Sequence, residues 1–328
     1  MEYLKLFVSL IIPILALSLS RNLSFLDKPN KTVKIHKSAI PYIGGLSFLI
    51  LCLFYMILYG FNIPILIMLL ISLIGTADDK YNFSAYIRLI LEIILCSILV
   101  ITMIPGLNFV YVTFLVLLGV TLINAFNFID IKDGLMTSYA LSLFLFLLNI
   151  KLIDSSFLTF ISMYLFSLLT IYALNSEPAK AYQGDGGAYA AAAVGFTSLL
   201  YILKNNAINV SNSIFSEIIS NNFLSINYLL IITFCILVAL FPVLFEIVFV
   251  IIIRIKNNLN PLLASNDHIA LRFFKRGYST YKIAFIFMIL PFLSNLVIAA
   301  YQLEINSLSL IIAPAFLIIF CYKFLLLL

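Results

Sequence analysis

Two adjacent carboxylates, Asp78 and Asp79, close an apolar run in Ile74-Gly-Thr-Ala-Asp-Asp-Lys-Tyr-Asn82. At the C-terminal end of a membrane helix they repel each other and oppose the helix dipole, so the pair makes sense where a cation or a shared proton relieves it. The bland alternative is a solvated helix end. Asn124, Asn127, Asp130 and Asp133 recur every three residues after another apolar run. If that helix continues, neighbours in the series lie side by side, a stripe suited to a nucleotide base, a ribose or a cation. A helix end alone needs one cap, not four spaced polar groups.

Gly184-Asp185-Gly186-Gly187-Ala188 leads into a further apolar run. Glycines leave backbone N–H groups free to approach a phosphate at a helix N-terminus, and Asp185 fits a divalent cation bridging carboxylate and phosphate. The same four residues also make an ordinary turn and cap. Asp267-His268-Ile-Ala-Leu-Arg272-Phe-Phe-Lys275-Arg276 puts His268, Arg272 and a third cation on one helical face. That face suits phosphate oxygens or anionic headgroups, although basic residues there also serve as a membrane anchor. In the segment from Asp27 to Gly45 the lysines could meet a lipid phosphate or serve as an anchor, and the Gly44-Gly45 pair permits close backbone or helix approach.

The elements that position these residues follow from composition. Of 328 residues, 64% are hydrophobic and 10% charged, with a mean hydropathy of +1.17. Soluble domains carry about 25% charged residues, so this chain cannot cover a water-facing surface. A soluble enzyme, a disordered chain and a nucleic-acid binder are excluded, the net charge of +5 being spread over short clusters. A transmembrane β-barrel is excluded too, because its strands alternate apolar and polar residues.

The fold class expected is therefore an all-α polytopic membrane protein. Its apolar runs are 3–20, 42–60, 63–77, 87–104, 109–125, 136–152, 157–174, 188–203, 227–253, 281–300 and 307–327. Each is read as a helix, since spanning about 30 Å of hydrocarbon takes roughly 20 residues. That gives about eleven spans, the third short and the ninth long enough to tilt or to break at Pro242. The first run lacks a strongly basic leader and a small-residue cleavage site and is read as a retained helix. No internal repeat or low-complexity linker appears, so residues 1–328 are read as a single domain.

With the N-terminus outside, the inside connections hold sixteen of the nineteen Lys and Arg residues, leaving only Lys5, Lys151 and Lys204 outside. The positive-inside rule selects that orientation and puts the polar motifs on the cytoplasmic face. Glu92 and Glu246 lie inside apolar runs, where a bare charge costs at least about 2.5–3.5 kcal/mol. They would face the bundle, or mark the ion path of a secondary transporter, the competing class of function. The four cysteines sit in apolar runs without CxxC spacing and read as small buried hydrophobes.

Taken in order, Asp27-Lys-Pro-Asn…His36…Pro41-Tyr-Ile-Gly-Gly45, Asp78-Asp79, Asn124-Ala-Phe-Asn127…Asp130…Asp133-Gly-Leu, Gly184-Asp-Gly-Gly-Ala-Tyr189 and the His268 stretch resemble the polyprenyl-phosphate N-acetylhexosamine-1-phosphate transferases. The resemblance implies a bundle of ten or eleven helices with a cytoplasmic cleft in the inner membrane. It implies transfer of a HexNAc-1-phosphate from a UDP-HexNAc donor to undecaprenyl or another polyprenyl phosphate, with release of UMP. The implied metal is Mg2+, with Mn2+ as a substitute, held by Asp185 and Asp78. The Asp78–Asp79 pair would stand beside the lipid phosphate, and Asn124, Asn127, Asp130 and Asp133 would line the nucleotide side. His268 and Arg272 would meet the diphosphate or sugar, and Lys37 a phosphate. A homodimer is compatible with the reading, and no nucleic acid enters it. Two positions depart from the family pattern: Ile131 where a glycine is common and Ala270 where a second histidine is common. They leave a catalytically inactive member as a further alternative. The multi-histidine stretch of the peptidoglycan-precursor branch is missing, which points the resemblance toward the branch that initiates O-antigen, capsule or teichoic acid glycans.

Overall fold

A computed structural model describes residues 2–27, 39–213, 223–259 and 268–303. The helices are α1 (Glu2–Asn22), α2 (Gly44–Tyr59), α3 (Ile63–Tyr81), α4 (Ala85–Met103), α5 (Phe109–Ile129), α6 (Leu135–Leu148), α7 (Ser155–Asn175), α8 (Gly184–Ser213), α9 (Phe223–Lys256), α10 (Ile269–Lys275) and α11 (Thr280–Gln302). Between α1 and α2 two short strands, β1 (Leu26–Asp27) and β2 (Ile40–Pro41), pair antiparallel. Ten of the eleven apolar runs are thus helices, and the eleventh, 307–327, lies outside the described residues, as does Cys321.

Polar residues at the turns set where the helices begin. Asn62 and Asn108 each accept, through Oδ1, the N–H three residues on, Ile65 and Tyr111, at 3.1 Å. Each satisfies one of the orphan donors of a first helical turn. Asn82, in the left-handed region at φ 51°, stops α3. Among the described residues, α1, α4, α5, α7, α8, α9 and α11 are long and apolar enough to cross a membrane. The helices α2 and α6 are shorter, at 16 and 14 residues, and α3 carries Asp78 and Asp79 in its last turn. The helix α9 stays continuous through Pro242, so of the two alternatives for this long run the break does not occur.

The centre of the bundle is α8, which packs against α2, α3, α4, α5 and α6. Its run of Ala188 and Ala190–Ala193 is fully buried or nearly so, and small residues let backbones approach where lipid offers no hydrophobic drive. A Cβ on Gly75 of α3 would stand 2.5 Å from the Asp185 carbonyl oxygen, so only glycine lets α3 lie this close to the start of α8. The outer faces are apolar instead: Ile90, Ile94, Ile98 and Ile101 of α4 are exposed while Glu92, Cys96 and Leu99 point inward. Cys52, Cys96 and Cys235 are buried free thiols, as expected of small core residues.

Candidate active site

The carboxylate pair and the glycine-rich turn meet where α3 ends and α8 begins. Gly184, at φ 71°, opens α8, so the turn glycines form the first turn of the helix and do not precede it. Asp79 closes this start: its Oδ1 accepts the Asp185 N–H at 3.0 Å and its Oδ2 the Gly186 N–H at 3.2 Å. Ser72, two turns earlier on α3, donates to the Gly186 carbonyl at 2.8 Å. Asp78 points elsewhere, with Oδ1 accepting the Phe83 N–H at 2.6 Å and Oδ2 accepting Arg88 Nη1 at 2.7 Å. The same Arg88 nitrogen reaches Asp185 Oδ2 at 3.5 Å. The two adjacent aspartates therefore do separate work: Asp79 caps α8 and Asp78 holds a guanidinium against Asp185. Their mutual repulsion is relieved by backbone dipoles on one side and a cation on the other.

The polar stripe divides as well. The helix α5 ends at Ile129 with Asp130 as its C-cap, so Asp133 leaves the helical face expected to carry all four residues. Asn127 lies beside Asp185. Asp130, partly exposed, faces Asp185 and Asp133; burial first, then those charges, push its carboxyl up to about 8. Asp133 Oδ2 instead accepts the Ala179 N–H at 3.0 Å, fastening the α5–α6 turn to the α7–α8 connection. Asn175 fastens the same joint, accepting from Gly134 N and Thr137 Oγ1 and donating to the Ala181 carbonyl. Asn124 sits a turn deeper and donates its amide to Glu92 Oε2 at 2.7 Å, while Tyr189 donates to Glu92 Oε1 at 2.7 Å. Its amide is thus committed to Glu92 and does not join the aspartate cluster.

A third group closes the site from α9 and α10. His268, the N-cap residue of α10, sets Nδ1 3.1 Å from Glu246 Oε1, and the same oxygen accepts the Ile269 N–H at 3.1 Å. The ring stands perpendicular to Phe128, centroids 5.5 Å apart. Phe128 follows Asn127 in α5, so the histidine arm joins the aspartate cluster through two consecutive residues. The Arg272 guanidinium lies over Phe249 at 5.0 Å and the Lys132 ammonium over Phe274 at 3.5 Å. On the opposite flank, Tyr42 donates to Asp27 Oδ1 at 2.8 Å, and the backbone of 41–44 bonds to Tyr182 and Gln183. Lys37 and Asp267 lie outside the described residues.

Arg88 is the main residue that the motifs passed over, since it resembles one more positive-inside anchor; its signal was its place in the first turn after the Asp78–Asp79 pair. Asn175, a polar residue ending an apolar helix, was passed over for the same lack of a motif. Glu92 and Glu246 face the bundle as expected of buried carboxylates, Glu92 held by Asn124 and Tyr189 and Glu246 by the Ile269 N–H with His268 Nδ1 beside it, and they belong to separate clusters.

Among the described residues no group of three or more His, Cys, Asp or Glu side chains is gathered as a metal site. The donor set still suits a hard cation: Asp78 Oδ2 and Asp185 Oδ2 converge on one positively charged nitrogen, with Asn127 alongside. Mg2+ asks for one or two carboxylates and completes its shell with water and substrate oxygens. Asp79 is engaged otherwise, each of its oxygens accepting a backbone N–H at the start of α8.

Residues 61–204 match glycosyl transferase family 4. The phospho-N-acetylmuramoyl-pentapeptide-transferase of Dictyoglomus turgidum (strain DSM 6724 / Z-1310) is 26% identical over 200 residues, covering 55% of this chain and 64% of the relative's length. The family match contains α3, α4, α5 and the start of α8, the helices that bring Asp78, Arg88, Asn127 and Asp185 together.

Proposed function

We propose, from the match of residues 61–204 to glycosyl transferase family 4, that this multi-pass membrane protein transfers a HexNAc-1-phosphate from a UDP-HexNAc donor to polyprenyl phosphate and releases UMP. The observation that carries the reading is the convergence of Asp78, Arg88 and Asp185 from three helices, with Asn127 and Asp130 beside them. The relative's name supports the phospho-sugar transfer. The missing multi-histidine stretch argues against its muramoyl-pentapeptide as the donor's sugar here.

Asp185 and Asp78 would hold Mg2+, which when bound screens the charge of the donor diphosphate. Arg88, displaced from the carboxylates it bridges, would turn to a phosphate oxygen, where a guanidinium binds in two-pronged fashion. An oxygen of the lipid phosphate attacks the phosphorus that bears the sugar, the bond from that phosphorus to the bridging oxygen breaks, and UMP leaves. Asp79 keeps Asp185 in place by capping α8, and Asp130 and Asn127 face the nucleotide. His268 and Arg272 close on the diphosphate from α10, and Lys37 meets a phosphate. Direct attack needs no covalent aspartyl intermediate, because a lipid phosphate with a second pKa near 6 is already the nucleophile at neutral pH. The positive-inside count supports a cytoplasmic setting for this end of the bundle. In this reading the chain acts in the inner membrane as one transferase domain.

The test is exchange of labelled UMP into a panel of UDP-HexNAc donors by the purified protein, with and without undecaprenyl phosphate and Mg2+. Lipid- and metal-dependent exchange with one donor is expected. Folded protein that exchanges with none sinks the reading.

A further inference from the structure

Glu246 is fully buried in α9, twenty-two residues before His268, and its Oε1 meets two groups of one short stretch: it lies 3.1 Å from Nδ1 of His268 and accepts the backbone N–H of Ile269 at 3.1 Å. The side chain of His268 does not cap α10, although His268 occupies the N-cap position. Glu246 supplies that cap from the neighbouring helix, and in doing so sets the histidine ring. Its Oε2 is buried without a hydrogen-bond partner among the described residues, so the carboxylate's polar contacts there are concentrated on this one junction. The ring is held on a second side by Phe128, perpendicular to it at 5.5 Å, and His268 is only 6% exposed.

An ionised carboxylate only accepts, so beside one the proton of this contact belongs to the facing nitrogen. We propose that Glu246 is a positioning residue that fixes His268 in its Nδ1–H form and leaves Nε2 as the ring's acceptor nitrogen. In a neutral imidazole the partner at one nitrogen decides the role of the other. The two bonds are coupled through Oε1: the oxygen that fixes the tautomer also anchors the first turn of α10, so ring orientation and the placement of Arg272 one turn on are set together. What Nε2 then meets rests on the transferase reading, in which His268 closes on the donor diphosphate. The tautomer itself does not.

The chain has two histidines, which makes the test direct. The full-length protein is labelled with 15N-histidine, placed in lipid bilayers and read by solid-state NMR at mildly alkaline pH, with His268→Gln assigning the signals. Expected is an Nδ1–H, bare-Nε2 pattern for His268. Glu246→Leu should return it to the Nε2–H form that free histidine prefers, and lower kcat about ten- to a hundredfold with donor KM little changed. Glu246→Gln, which keeps an oxygen acceptor, should retain the Nδ1–H form and most of kcat. An Nε2–H pattern in the unmodified protein, or one unaltered by Glu246→Leu, overturns the proposal. If Glu246→Leu fails to fold, the unmodified and Glu246→Gln spectra decide. Absence of UMP exchange by the unmodified protein, with the Nδ1–H pattern present, sinks the transferase reading and leaves the positioning role standing.

Discussion

Asp79 and Asp185 are joined through the backbone: the carboxylate of Asp79 accepts the N–H of Asp185 at 3.0 Å, and that of Gly186 next to it. One aspartate thereby fixes where the other can point. Two substitutions separate these tasks. Asp185→Asn is expected to abolish Mg2+-dependent exchange with thermal stability near that of the parent. Asp79→Ala removes a cap and should cost about 1–2 kcal/mol of stability, while the loosened helix start lowers kcat on the order of a hundredfold. A stable, active Asp79→Ala protein, measured by thermal unfolding and UMP exchange, would remove the capping role.

Arg88 bridges Asp78 and Asp185 at 2.7 and 3.5 Å, so its loss leaves two carboxylates facing each other. Arg88→Ala should destabilise the metal-free protein by about 1–3 kcal/mol, and added Mg2+ should raise the variant's melting temperature more than the parent's. Turnover should not return, since the phosphate loses its guanidinium. Equal Mg2+ shifts in the two proteins would show that Arg88 and the cation do not share the site.

Asp130 provides a pH signature. Its carboxyl is raised from 3.8 to about 8, so between those values the folded protein holds a proton that the unfolded chain has released. The contribution of this group to stability is therefore present at low pH and is lost as pH climbs through about 8. Unfolding measured across that window in the absence of Mg2+ should show the parent losing stability relative to Asp130→Asn as pH rises. A parent that holds or gains stability relative to Asp130→Asn as pH rises contradicts the assignment.

Glu92 separates an enzyme from a carrier. Held by Asn124 and Tyr189, it acts as a structural acceptor, and a glutamine can still accept from Tyr189 while Asn124 turns its amide. Glu92→Gln should keep exchange within several-fold of the parent, and Glu92→Leu should cost about 1–3 kcal/mol by stranding two donors. Complete loss of function in Glu92→Gln with an intact fold would favour the ion-path reading.

Helix positions were legible because lipid enforces them: ten of the eleven apolar runs are helices among the described residues, with boundaries moved by a few residues except at α8, which runs ten residues past its expected end. The motif residues were legible as a set but not as individuals. Adjacent Asp78 and Asp79 look equivalent along the chain, and only the approach of α8 assigns one to its backbone and the other to Arg88. The four-residue stripe assumed a helix that continues, whereas α5 stops at Asp130 and Asp133 turns to Ala179. Glu92 looked like a stranded charge because its two donors lie 32 and 97 residues further along. Arg88 was hidden for the opposite reason: a cation near a helix start is common in any chain that obeys the positive-inside rule.

The buried centre of the bundle has a consequence for biogenesis. Among the seven membrane-length helices α8 is the least apolar and its span is the most enclosed. Lipid alone is a poor host for such a segment, and its neighbours α2, α3, α4, α5 and α6 all emerge from the ribosome before it. The order of synthesis thus delivers the socket ahead of the helix that fills it: the carboxylate cluster forms when Asp79 meets the arriving N–H groups of Asp185 and Gly186, and α9 and α10 bring His268 to it afterwards. Chains truncated just after α8 should insert it, whereas α8 fused alone behind an unrelated leader should slip through the membrane, a difference that glycosylation mapping reads directly.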